Sequence, residues 1–435
     1  MGRSLTEKHT LLGSSALTKT TSYTYNLDGS QATLTDPSGR TITYTPSAAG
    51  RMLSAADTAN SINYAKSATY APQGALASMV NGFTSSFAGI TTTDAYNKRL
   101  QPVTLSAAAP SQTVLSLSYD FHLGVGDNGN VFQIVNNRDN NRTQNFTYDN
   151  LNRIASAQTQ GNSPLTTSWG ETFTIDAWGN LTNKAGITGK TNTEPLNAAP
   201  ATVTNQLNGF CYDAAGNMIR GGTCGIMPKY SYDAENRMIG YFPGTTPTNY
   251  IYDGDGERVK KCANSACSSG TLYWRGMGSD ALMETDLAGA LQHEYVFFNG
   301  KRVARRDADN SVHYYFSDHL GSASVITSAT GVLQEESDYY PYGGEIAITN
   351  SDPNTYKFTG KERDTESGLD EFGARYYGST IGRFMTPDWS EDPDSVPYAN
   401  FQNPQTLNLY GYVQNNPLSL RDANGHITCA PDVVT

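Results

Sequence analysis

The feature that most limits the fold is a residue doublet repeated in a fixed frame. Tyr212-Asp213, Tyr232-Asp233 and Tyr252-Asp253 follow one another at intervals of 20 residues. Tyr148-Asp149 opens the same frame earlier in the chain, and Ile175-Asp176 is a variant of it. In full the segments read FTYDNLNRIAS from Phe146, FTIDAWGNLTN from Phe173, FCYDAAGNMIR from Phe210, YSYDAENRMIG from Tyr230 and YIYDGDGERVK from Tyr250. Side chains alternate faces along a strand, so Phe146 and Tyr148 share a face, as do Tyr230 and Tyr232. Aromatics at period two, with small or β-capable residues between them, indicate strand. Asp then opens a turn whose fourth position is Gly or Asn, as in Asp213…Gly216 and Asp233…Asn236. That is type I turn chemistry, in which the carboxylate can accept the backbone N–H two residues on. Met218-Ile219, Met238-Ile239 or Arg258-Val259 begins the return strand. Each unit is therefore strand, tight turn, strand. Tyr148, Tyr212, Tyr232 and Tyr252 read as facing residues of a half-buried strand, worth about 1.5–3 kcal/mol each if fully buried. Asp149, Asp176, Asp213, Asp233 and Asp253 read as turn formers. The alternative is that these acids line a sugar- or ion-binding surface.

Hairpins of this kind cannot bury a face alone and must stack on neighbours, so the sheet extends or winds. Composition agrees with a sheet that is wet on one face. Only 37% of residues are hydrophobic and 16% charged, yet there are 27 tyrosines, which a disordered chain would usually lack. At 435 residues the chain is long for one compact core, which favours several domains or a repeat. The expected fold class is all-β, a spiral or curled antiparallel sheet of repeated hairpins.

Several functions are disfavoured by the same reading. The net charge is −11 with no basic run, so no nucleic-acid partner is expected. No stretch approaches the ~20 apolar residues of a membrane helix. The first 20 residues hold no apolar signal core, so no secretory signal is visible and the sequence leaves localisation open. No phosphate loop, dinucleotide fingerprint or four-ligand zinc spacing is present, so no cofactor and no metal are expected. Cys211 with Cys224, and Cys262 with Cys267, can each close a small loop if the chain is exported; Cys429 is left over. His319 beside Asp318 reads as structural.

From Val312 the character changes. SDHLGS, DYYPYGG, KFTGKERD, GLDEFGARYYGSTIGRFMTPD, NLYGYVQNNP and RDANGH follow in order. This series resembles the RHS repeat-associated core, and the hairpins resemble the YD repeats of RHS proteins, teneurins and the C subunits of insecticidal toxin complexes. The resemblance implies a curled sheet forming a partial hollow shell, ended by a core plug. It divides the chain into a divergent β region (1–110), a YD-repeat shell (111–311), the RHS core (312–426) and a short variable tail (427–435). It implies an exported or cell-surface protein whose partner is its own C-terminal segment or a toxin cargo. Shell-forming relatives also cut themselves. On that pattern Arg375, Asp388 and Asp422 are the catalytic candidates, and the bond expected to break joins His426 to Ile427.

The chemistry is sound in itself. Two carboxylates in a poorly solvated site share a proton, so one can activate water while the other donates to the peptide carbonyl. Arg375 can hold one of them charged. The plainer reading is that Asp388 and Asp422 open turns and Arg375 makes a structural ion pair. The chain departs from the pattern at Ala423, where the family has Pro, and at His426, where it has an apolar residue. Residues 389–407 form an insertion that can either leave the two acids in contact or separate them; Glu391, Asp392 and Asp394 within it read as a solvated loop. Only nine residues follow His426, too few for a folded effector in this chain. The favoured function is thus an encapsulating scaffold with possible single-turnover aspartyl self-cleavage. The alternative is a non-enzymatic secreted or cell-surface repeat protein that binds carbohydrate or a protein partner.

Overall fold

The computed structural model describes residues 2–12, 16–163, 167–199, 204–390, 396–426 and 428–429. Among them the fold is all-β. A 16-stranded sheet runs from Thr6–Leu11 to Leu196–Asn197, and a 12-stranded sheet from Tyr230–Tyr232 to Glu345–Asn350. In both, strands pair in sequence order, except that Gln112–Asp120 bypasses the small hairpin His122–Leu123/Gly126–Asp127 to pair with Gln133–Asn136, and neither sheet closes on itself. The hairpin Phe210–Tyr212/Met218–Gly221 lies between them in sequence. The first sheet passes residue 110 without a break, pairing Gln112–Asp120 with Pro102–Ala109.

The repeat unit explains this order. In each turn one Asp carboxylate oxygen accepts two backbone N–H groups: Asp233 takes those of Glu235 and Arg237 at 2.9 Å, and Asp253 those of Asp255 and Glu257 at 3.0 and 2.9 Å. Asp149, Asp176 and Asp213 do the same. The fourth turn residue has positive φ, +62° at Asn236 and +84° at Gly256, the left-handed region that Asn and Gly tolerate. The register slips by one residue at Tyr148, Tyr212, Tyr232 and Tyr252, a bulge that adds twist. These tyrosines are half-buried. Their hydroxyls reach back to earlier backbone: Tyr232 donates to the Met218 carbonyl at 2.7 Å and Tyr252 to the Met238 carbonyl at 2.6 Å. Tyr148 donates to the Val131 carbonyl, whereas Tyr212 accepts the Leu207 N–H. The doublet therefore shapes its own hairpin through Asp and, in most copies, ties it to an earlier one through Tyr.

The two sheets share one core, in which Tyr64, Val114, Phe146 and Trp169 of the first meet Tyr250, Phe298, Tyr314 and Val325 of the second. Ion pairs bridge them. Arg142 holds Asp338 at 2.7 Å and also pairs with Glu336, and Arg138 meets Glu336 at 2.8 Å. Beyond Asn350 comes a cap built on short strands, Glu362–Arg363, Asp370–Glu371, Tyr376–Gly378 and Arg383–Phe384. Its own aromatic core holds Phe358, Phe372, Tyr377, Phe384 and Tyr412. The cap is fastened on two sides. Buried Arg258 of the second sheet binds Glu362 at 2.7 Å and Asp364 at 2.8 Å. On the other side Asn408, Asn415 and Asn416 donate to Asn180, Gly179 and Asn130, all in turns of the first sheet.

Cys211 pairs with Cys224 and Cys262 with Cys267. His319 lies against Tyr119, ring centroids 4.7 Å apart, and its Nε2 donates to the Leu418 carbonyl at 2.8 Å. Its partners are those of a packing residue.

Candidate functional site

The cap brings Arg375, Asp388, Asp422 and His426 together. Arg375 directly precedes the strand Tyr376–Gly378 and is buried among the aromatic rings, its guanidinium 3.7 Å from the Phe384 ring centroid. Asp388 is pinned by its own N–H, which donates to the Leu409 carbonyl at 2.9 Å. Asp422 ends the strand Arg421–Asp422, which pairs with Thr428–Cys429 across the loop that carries the expected cut. Ile427 lies outside the described residues, as do Glu391, Asp392 and Asp394.

That loop is held carbonyl by carbonyl. Lys361 Nζ donates to the Ala423 carbonyl at 2.7 Å, the Ala374 N–H to that of Asn424 at 3.1 Å, and Arg375 Nε to that of Gly425. From the inside, Asp422 Oδ1 accepts the Asn424 and Gly425 N–H groups at 3.0 and 2.7 Å. Gly425 has φ +87°, and a Cβ there would stand 3.1 Å from the Arg375 backbone nitrogen, so the tight approach favours glycine.

The Asp388 carboxylate is shared three ways. Oδ2 meets Arg375 Nη2 at 2.9 Å; Oδ1 accepts His426 Nδ1–H at 2.6 Å and the Trp389 N–H at 2.9 Å. Arg375 thus makes a one-point contact to Asp388 and gives its other nitrogens to the Gly425 and Leu409 carbonyls. Asp422 differs. Burial pushes its carboxyl above the usual range against the pull of the Arg375 charge, and the charge of Asp388 adds to the rise. One acid is ringed by donors, the Arg375 guanidinium among them, and the other is held toward its protonated form.

The His426 ring stands edge-on to Trp389, centroids 4.7 Å apart, and 5.5 Å from Tyr398. With Lys361, Glu371, Phe372, Trp389 and Asn424 it lines a cavity of about 680 Å³. That size suits a small molecule or a few residues of peptide. Lys361, Trp389 and the side chain of His426 were not legible as site residues, because their contacts join segments far apart in sequence. The departure from the apolar residue at 426 was the one signal.

A family model described as teneurin YD-shell matches residues 77–418. The tRNA3(Ser)-specific nuclease WapA of Bacillus spizizenii is 26% identical over an alignment of 267 residues that covers 58% of this chain and 11% of that protein. Toxin subunit YenC1 of Yersinia entomophaga is 26% identical over 325 residues, covering 67% of this chain and 30% of the subunit. Teneurin-3 of Mus musculus is 27% identical over 191 residues, 41% of this chain and 7% of that one. The crystal structure of TcdB2-TccC3 matches with a TM-score of 0.77 at 20% identity, over 98% of this chain and 24% of that one. At that identity the likeness is one of fold. The chain spans less than a third of the length of each of these relatives.

Proposed function

The chain belongs to the teneurin YD-shell family, and from that premise we propose that it is a section of shell that retains a C-terminal segment and cuts its own backbone once, between His426 and Ile427. The observation that carries this reading is the clamped loop: the Ala423, Asn424 and Gly425 carbonyls are fixed by three separate donors, directly before the bond in question. A substrate held in cis needs no binding step. Asp388, paired with Arg375, is the source of the basicity that activates the water; Asp422, pushed toward its protonated form, donates to the peptide carbonyl. Water adds to the carbonyl carbon, the C–N bond breaks, and the new amine takes a proton.

The names of the relatives, a tRNA nuclease and a toxin subunit, support a toxin as the cargo of such a shell. The two disulfides support an oxidising, exported setting. Mass spectrometry under denaturing conditions tests the reading. The unmutated chain is expected to lack everything after His426, and Asp388→Asn and Asp422→Asn are each expected to slow the cut by about 10²-fold or more. An intact unmutated chain overturns it. A second reading, binding of carbohydrate, draws on the cavity, where Tyr273, Phe372 and Trp389 stand among carboxylates. Glycan binding that persists in Asp388→Asn, with no cut in the unmutated chain, would favour it.

A further inference from the structure

We infer that the imidazole of His426, the residue whose own carbonyl is cut, is the general base of the reaction and relays the basicity of Asp388 to the attacking water. This rests on the self-cleavage reading above. Three observations carry it. First, Asp388 is occupied. Its oxygens already take Arg375, the Trp389 N–H and His426 Nδ1–H, three of the roughly four lone-pair directions a carboxylate offers. Little is left to receive a proton from water directly. Second, the Nδ1 contact at 2.6 Å fixes the tautomer, since a carboxylate can only accept there. The nitrogen left for a proton is Nε2. Third, His426 lines the cavity of about 680 Å³, and its ring is held by Trp389 and Tyr398. An acid orienting an imidazole whose far nitrogen is left to take a proton from water is the arrangement of the general-base half of a Ser-His-Asp site, with water in place of serine.

The balance is complete. Nε2 takes a proton from water as its oxygen bonds to the His426 carbonyl carbon, and Asp422 gives its proton to the carbonyl oxygen. When the intermediate collapses, the C–N bond breaks and the imidazolium returns the proton to the Ile427 nitrogen. Asp422 recovers its own. The products are a His426 carboxyl and an Ile427 amine, with one water consumed. The plainer role for His426 is that of an ion-pair partner that merely steadies Asp388. In that case a neutral residue of similar size would keep the rate.

The test follows the appearance of the shortened chain by denaturing mass spectrometry in the unmutated protein and in His426→Gln, His426→Leu and His426→Gly. Thermal unfolding establishes that each variant is folded. The expected result is a loss of about 10²-fold in Gln and Leu, and a rate in Gly that rises with added imidazole at an unchanged cut position. A rate in His426→Leu or His426→Gln equal to the unmutated rate overturns the inference and leaves the self-cleavage reading standing. So does a folded Gly variant indifferent to imidazole. If Gly does not fold, Gln and Leu decide. An uncut unmutated chain overturns both.

Discussion

At the scale of single residues, two buried carboxylates show how surroundings set behaviour. Asp422 has backbone donors and a nearby guanidinium. Glu171 is fully buried, and neither of its oxygens has a hydrogen-bond partner. Its neighbour Lys184 is engaged by Glu194 at 3.0 Å. Burial pushes the Glu171 carboxyl up to about 7 from 4.5, with Lys184 pulling down and Glu194 pushing up. The folded state therefore binds a proton that the unfolded state releases at lower pH. The stability from this site is full below about 4.5, falls as pH rises, and is gone above about 7. Glu171→Gln is thus expected to raise stability at pH 8 by up to about 3 kcal/mol, read as a higher urea midpoint, and to change it little at pH 4.5. An equal effect at both values would show that the site does not titrate. Residue-scale detail was also the least legible in the sequence. The tyrosine side of the doublet reads as a facing residue, but its hydroxyl bond to an earlier hairpin depends on how two hairpins stack. The contact of His426 with Asp388 spans 38 residues that no local pattern connects.

At the scale of the element, the hairpin was legible because its determinants are local. Asp, a left-handed fourth residue and paired aromatics all fall within about ten residues and act on one another. Asp233→Ala removes the acceptor of two N–H groups and the partner of Arg237. The expected cost is about 1–2 kcal/mol, read as a shift in denaturant midpoint. Asp255→Ala, on the exposed tip of the next turn, is expected to stay within about 0.5 kcal/mol. A similar cost at both positions would deny the carboxylate its role in the turn. The N-terminal strands were harder to read. Segments such as Ile90–Tyr96, ITTTDAY, and Pro102–Ala109, PVTLSAAA, form regular strands with few large apolar residues. Threonine and alanine suffice there because each strand is paired on both sides and covered on one face, which leaves no strong alternation to find.

At the scale of the whole molecule, stability depends on fastening two open sheets and a cap to one another. Arg142 is the main rivet between the sheets. Its side chain is 6% exposed and its guanidinium serves Asp338 and Glu336. Arg142→Met takes the guanidinium from Asp338 and leaves Glu336 to Arg138 alone, at an expected cost of about 3–5 kcal/mol. Equilibrium denaturation is expected to show this as a lower midpoint, and an unchanged midpoint would mean that the core alone joins the sheets. This level was legible only through resemblance. Hairpin repeats imply a long sheet, but not where it breaks or which turns receive the cap. The asparagines at 408, 415 and 416 do that work by bonding to turns more than 200 residues away.

The pairing of Arg421–Asp422 with Thr428–Cys429 has a consequence for how any scission would be noticed. A nick between the two strands leaves both fragments aligned on the same ladder, so severance and departure become separate events. A nicked chain would elute as one species in native chromatography and come apart only in denaturant. What sets free the distal fragment is then the lifetime of that short tether and not the chemistry that cut it.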